Sequence, residues 1–144
     1  MRAFSQILKQ KVLARKEFAF HLGLFSACIH LFLVNKYCLK RLINHPFLHF
    51  YFHDLLAPLL LLSYSNMLLA WFNFRGRRIR SLPAILLLVL AAGLFWEYVT
   101  PLYLPHSTSD PLDLLAYLAG GMLYWLLVSF SAPYDQKGGW SILG

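Results

Sequence analysis

Acidic side chains are scarce in this sequence. Six Asp and Glu stand against 13 Lys and Arg, and charged residues make up only 13% of the 144. So little charge does not coat a water-facing surface, which excludes an ordinary soluble domain. Cysteine is nearly absent as well. Cys28 and Cys38 are the only two, and on one helix rising 1.5 Å per residue they lie about 15 Å apart, beyond the roughly 7 Å that a disulfide tolerates between Cα atoms. A disulfide framework is therefore excluded. The sequence also lacks a glycine-rich phosphate loop, a Cys-x-x-Cys pair and a His-Glu-x-x-His helix, which leaves nucleophilic chemistry without a motif to support it.

What is present is apolar sequence in quantity. Hydrophobic residues make up 59% of the chain, and four stretches, at about 18–34, 54–74, 81–100 and 112–130, hold at most one charged side chain each. A bilayer core of about 30 Å calls for roughly 20 such residues per helical span, and in hydrocarbon a helix satisfies its backbone groups within one segment. The expected fold is all-α: an integral membrane bundle of about four transmembrane helices forming one domain over residues 1–144. Residues 1–17 place Phe4, Ile7, Leu8 and Val12 on one side, the pattern of an N-terminal amphipathic helix lying on an anionic leaflet. An aromatic and histidine-rich stretch before the second span reads as an outer interfacial segment.

The excess of basic residues is arranged by position, and this arrangement argues for a membrane rather than for nucleic acid. Arg2, Lys9, Lys11, Arg15 and Lys16 precede the first span, Arg75, Arg77, Arg78 and Arg80 connect the second to the third, and residues 101–111 contain no Lys or Arg. The positive-inside rule places both termini and the Arg-rich connection in the cytoplasm, with the protein integral to the cytoplasmic (plasma) membrane. Lys36, Lys40 and Arg41 in the first outer connection run against that trend but are outnumbered.

Small residues suggest where helices meet. Ala19, Gly23 and Ala27 recur every four residues in the first span, and Ala116 and Gly120 repeat the device in the fourth; such stripes allow close approach of helices, either to each other or to another subunit. Asn44-His45-Pro46 reads as a helix start with proline at the first position. Pro58 cannot donate to the carbonyl of Asp54, so a kink is expected near residues 54–58.

Four of the six acids converge on the outer half of this topology, although they belong to three spans or their edges. Glu97 falls inside an apolar span, where an ionisable group is costly unless it faces protein or water. Asp110 reads as the N-cap of the fourth helix, and Asp113 as a residue of its first turn that favours the helix dipole. Asp54 adjoins the expected kink. Glu97 and Asp113 should approach each other, because only about ten residues join their helices. His45, His49 and His53 recur every four residues, and His106 lies in the opposite outer loop. His49 and His53 with nearby carboxylates have the donor types of a zinc or other divalent-cation site, whereas interfacial histidines without a ligand role are the commoner case.

The stretch from Glu97-Tyr98-Val99-Thr100 through Asp110-Pro111-Leu112-Asp113 to Ala119-Gly120-Gly121 resembles the signature region of VanZ-like bacterial membrane proteins. In that family a Glu ends one helix and a D-x-x-D-type start opens the next. The resemblance implies a small four-span protein of the bacterial inner membrane and cell envelope, in a family associated with resistance to teicoplanin-type glycopeptide antibiotics. Glu97, Asp110, Asp113 and Gly120 are the matching positions. The chain departs from the pattern by lacking an Arg between Glu97 and Asp110, an Asn near Tyr117 and a glycine near Tyr124.

Together these features favour a non-catalytic membrane protein with an outward-facing pocket of Glu97, Asp113, Asp54, Asp110 and His106. Its expected ligand is an envelope lipid, a glycan precursor or a partner protein, with a homo-oligomer as a further arrangement and no cofactor required. The alternatives are an ion- or proton-coupled carrier of small solutes and, with weaker support, a metal-dependent envelope enzyme.

Overall fold

The computed structural model describes residues 2–72, 78–103 and 111–131, and the side chains of all of these except 2–10 and 111. Every regular element among them is helical, and four helical stretches are long and apolar enough to cross a membrane: Lys11–Leu42, Phe52–Trp71, Leu82–Leu102 and Leu112–Ser131.

Helix α1 (Arg2–Val34) is a single rod of 33 residues, roughly 50 Å long at 1.5 Å per residue. It continues through a π turn at Asn35–Leu39 into the short α2 (Lys40–Leu42). The N-terminal segment is therefore not a separate amphipathic helix but the first half of the same rod. No proline interrupts it, and Glu17, near the expected break, bonds Arg78 and Arg80 of the bundle, drawing this part of the helix inward.

Helix α3 (Pro46–Phe50) starts as its sequence suggests: Pro46 occupies the first turn and His45 caps it, its Nδ1 accepting from the Phe47 N–H at 3.3 Å. Helix α4 (Phe52–Trp71) follows immediately. Tyr51 alone separates the two helices, with the bonds from the Tyr51 N–H to the Phe47 carbonyl and from the Leu55 N–H to the Tyr51 carbonyl running through it, and Pro58 is carried inside α4. Helix α5 (Leu82–Leu94) opens with Pro83 in its first turn, where a missing N–H costs nothing. It ends in a π turn, Phe95–Val99, and a 3-10 turn, Thr100–Leu102; α6 (Pro111–Ser131) completes the bundle.

Packing runs in the order α1, α4, α6, α5, so α4 and α6 form the middle pair. Two adjacent glycines let α6 serve both neighbours. A side-chain carbon on Gly120 would collide with the Leu55 carbonyl oxygen and lie 3.1 Å from Pro58 of α4, while one on Gly121 would lie 3.3 Å from Val89 of α5. Leu56, Leu59 and Leu62, Ile85 and Val89, and Tyr117, Tyr124 and Val128 fill the space between these helices. Ala116, expected to share this contact, is partly buried.

The other small-residue stripe does not pack within the chain. Ala19, Gly23 and Ala27 are exposed, and nothing lies within 4 Å of the position a Gly23 side chain would take. The seam that α1 turns inward is His21, Cys28 and Asn35, spaced every seven residues on the opposite side and each at most 2% exposed. Polar and polarizable groups win the interior here because, facing lipid, they would lack partners.

Candidate functional site

The buried acid of the sequence is placed by an irregularity in α5. At the π turn, the Thr100 N–H reaches back five residues to the Phe95 carbonyl, and π turns of this kind are frequent at functional sites. Glu97, at its middle, is 5% exposed, while Phe95, Trp96 and Tyr98 around it are all more than half exposed. The aromatic side chains face outward and the carboxylate faces the bundle. One turn earlier, Gly93 allows α6 to close in: a side-chain carbon there would lie 3.0 Å from Leu114 and 3.1 Å from the Tyr117 ring.

Tyr117 is the point on which the acids converge. Its hydroxyl donates to Asp54 Oδ1 of α4 at 3.3 Å. The charges of Glu97 and Asp113 also act on that hydroxyl, and the charge of Glu97 acts on Asp54. Asp54 is thus bonded to Tyr117 at one end of the bundle, with Glu97 and Asp113 of the neighbouring helical stretches near enough for their charges to act on that hydroxyl. The other two pocket candidates, Asp110 and His106, lie outside the described residues. Tyr117 was visible in the sequence only as a departure from a family pattern. Its signal was the spacing Tyr117, Gly120, Gly121, Tyr124, because a buried tyrosine beside small residues needs a partner for its hydroxyl.

The histidines do not form the expected row. Tyr51 interrupts the helix, so the four-residue spacing of His45, His49 and His53 spans a cap, α3 and α4. His45 is occupied as a cap, and His53 Nε2 lies 3.1 Å from Asn35 Nδ2, which also donates to the Leu48 carbonyl at 3.0 Å. Among the described residues no three His, Cys, Asp or Glu side chains gather as ligands for an ion. Among the described residues, His49 and His53 are thus not joined by a third donor of these types.

A second polar centre, at the opposite end of α4, went unread in the sequence. Glu17 of α1 accepts from Arg78 Nε at 2.7 Å and from Arg80, and Arg78 also donates to the Leu69 carbonyl. Beside it, Asn66 pins the connection before α5 by bonding both backbone groups of Ile79, at 2.8 and 3.0 Å, and its amide also meets the Tyr124 hydroxyl at 2.6 Å. The His21 ring stacks on Tyr124, with centroids 6.2 Å apart. Asn66 within an apolar run was the available signal, since a polar side chain inside a span marks a helix contact or a site.

The two centres differ in what they offer a ligand. The Glu17 centre closes most of its bonds on itself. The Glu97 centre presents carboxyl oxygens, which accept hydrogen bonds and attract cations. The chain matches no protein-family model, no curated protein and no solved structure, so the chemistry of this site carries the functional reading.

Proposed function

We propose that this chain is a small, non-catalytic membrane protein of the VanZ-like kind, which binds the donor-rich polar part of an envelope lipid or glycan precursor at its Glu97 end. The supporting observation is the burial of Glu97 beside Asp54 and Tyr117, at a place where α4, α5 and α6 meet. A buried acid in a membrane bundle is expensive and is expected to serve a ligand or a path for one. Sugar hydroxyls and ammonium groups are the natural complements of such a set of acceptors. In this reading the Glu97 end faces away from the cytoplasm, both termini lie inside, and the host membrane is the bacterial cytoplasmic membrane.

Native mass spectrometry of the chain purified with its own membrane lipids tests the binding. The wild type should retain a lipid or lipid-linked glycan that Glu97→Gln loses while keeping its helical circular dichroism. Equal adducts on both proteins, or none on the wild type, would refute the reading. Orientation is tested with the native thiols, because Cys38 is exposed and Cys28 buried. A membrane-impermeant maleimide should label Cys38 on intact cells and fail to label Cys38→Ser; labelling only after lysis reverses the topology.

A second reading has support in the same geometry: carboxylates acting on each other across α4 and α5 suit a cation or proton carried through the membrane. Proteoliposomes bearing an imposed pH or sodium gradient should then dissipate it faster than vesicles holding Glu97→Gln.

A further inference from the structure

Between Glu17 and Asp54 the sequence contains no acidic residue, and its last part, residues 35–53, holds Lys36, Lys40 and Arg41. The fold makes one surface of this stretch. Lys40 Nζ donates to the His49 carbonyl at 2.9 Å, tying α2 to α3, and Asn35 ties the π turn to Leu48 and His53. An ammonium has three donors, and the structure shows one of those of Lys40 used within the chain. Two further polar atoms here, Asn35 Oδ1 and His49 Nε2, are buried without a partner among the described residues, and Asn35 itself is 0% exposed. Around them Leu42, Ile43, Phe47 and Phe50 are exposed. Cations beside exposed aliphatic and aromatic side chains, in a segment between two spans, have the composition of a surface seated in the headgroup layer.

The contrast with the Arg78 end identifies the occupant. There Glu17 stands against the two arginines it bonds. Here the nearest acid in sequence, Asp54, takes its hydrogen bond from Tyr117 and feels Lys40 only through its charge, and among the described residues no carboxylate forms an ion pair with Lys36, Lys40 or Arg41. We propose that residues 35–53 form a seat for an acidic phospholipid, whose phosphate is held by Lys36 and Lys40 while Leu42, Phe47 and Phe50 lie along its acyl chains. The unmet bonds of Asn35 and His49 are then completed by the headgroup or by water it traps. This seat uses residues other than Glu97, Asp113 and Asp54, although the charge of Lys40 acts on Asp54.

The test uses the full chain in detergent, titrated with phosphatidylglycerol or with phosphatidylcholine and followed by native mass spectrometry. Phosphatidylglycerol should bind about 25-fold more tightly than phosphatidylcholine, the product of the two lysine contributions. Each lysine is expected to contribute about fivefold, the affinity equivalent of one basic side chain near an anionic surface. Lys36→Gln should therefore weaken phosphatidylglycerol about fivefold and Lys36→Arg should leave it unchanged. Lys36→Gln with Lys40→Gln should bring it to the phosphatidylcholine value. Lys36 is exposed and its ammonium lies over the Tyr37 ring, 5.6 Å from the centroid, so the single variant should fold even if the double variant does not. Equal binding of the two lipids by the wild type, or an unchanged phosphatidylglycerol affinity in Lys36→Gln, would overturn the proposal. Glu97→Gln should keep the lipid preference, which separates failure here from failure of the acidic-cluster reading.

Discussion

At the end of the bundle where α4 leads towards α5, Glu17 engages Arg78 and Arg80, and Asn66 binds Tyr124 and both backbone groups of Ile79. At the other end, Asp54, Glu97 and Asp113 act on one tyrosine hydroxyl; buried atoms without partners among the described residues occur at both ends, His21 Nδ1 and Arg80 Nε at the first, Asn35 Oδ1 and His49 Nε2 at the second. Opposite charges and matched donors and acceptors hold helices together. Like charges do not, and they persist where a ligand completes them. The first end therefore reads as structural and the second as functional, and substitutions at the two should differ in kind.

The largest effect is expected between the ends, at the packing that both depend on. Gly120→Leu puts a side chain against the Leu55 carbonyl and Pro58 and should cost about 3 kcal/mol by forcing α4 from α6. Gly23→Leu, in open space, should leave thermal unfolding in detergent where it is; equal losses in the two variants would show that the α4–α6 contact is not special. Next comes the structural end. Glu17→Gln leaves Arg78, only 6% exposed, without its carboxylate. The expected loss is about 2 kcal/mol, below the usual range for a broken buried pair because Arg80 is 38% exposed. Tyr124→Phe removes a 2.6 Å bond but leaves Asn66 its two bonds to Ile79, so about 1 kcal/mol is expected. Smallest is Tyr117→Phe, which loses a single 3.3 Å bond to Asp54 and should cost about 0.5 kcal/mol while changing ligand retention as strongly as Glu97→Gln. If Tyr117→Phe unfolds the protein more than Glu17→Gln does, the assignment of roles to the two ends is inverted.

Much of this was legible along the chain because the bilayer acts on composition. A helix in hydrocarbon must be long and apolar, so four spans and an acid standing out in one of them could be read directly. The facing of α1 could not. Its small residues and its His21, Cys28 and Asn35 form two opposite stripes, each a reasonable interface in isolation, and only the partners offered by α4 decide between them. Pro58 does not end α4, since a proline within a span is tolerated when neighbouring helices support the backbone around it.

Length and hydropathy, which are local properties, determined that the chain is helical, that it has four helices able to cross a membrane, and that acids are sparse enough for each to matter. Tertiary structure alone decided which acids meet. Glu97, Asp54 and Asp113 lie on three separate helical stretches, and the tyrosine that bonds Asp54 and feels the charge of the other two is marked in the sequence only by its spacing to Gly120, Gly121 and Tyr124. That meeting depends on glycines at 93, 120 and 121 bringing backbones close and on a π turn rotating Glu97 inward. Both effects act at distances that a pattern along one helix does not encode.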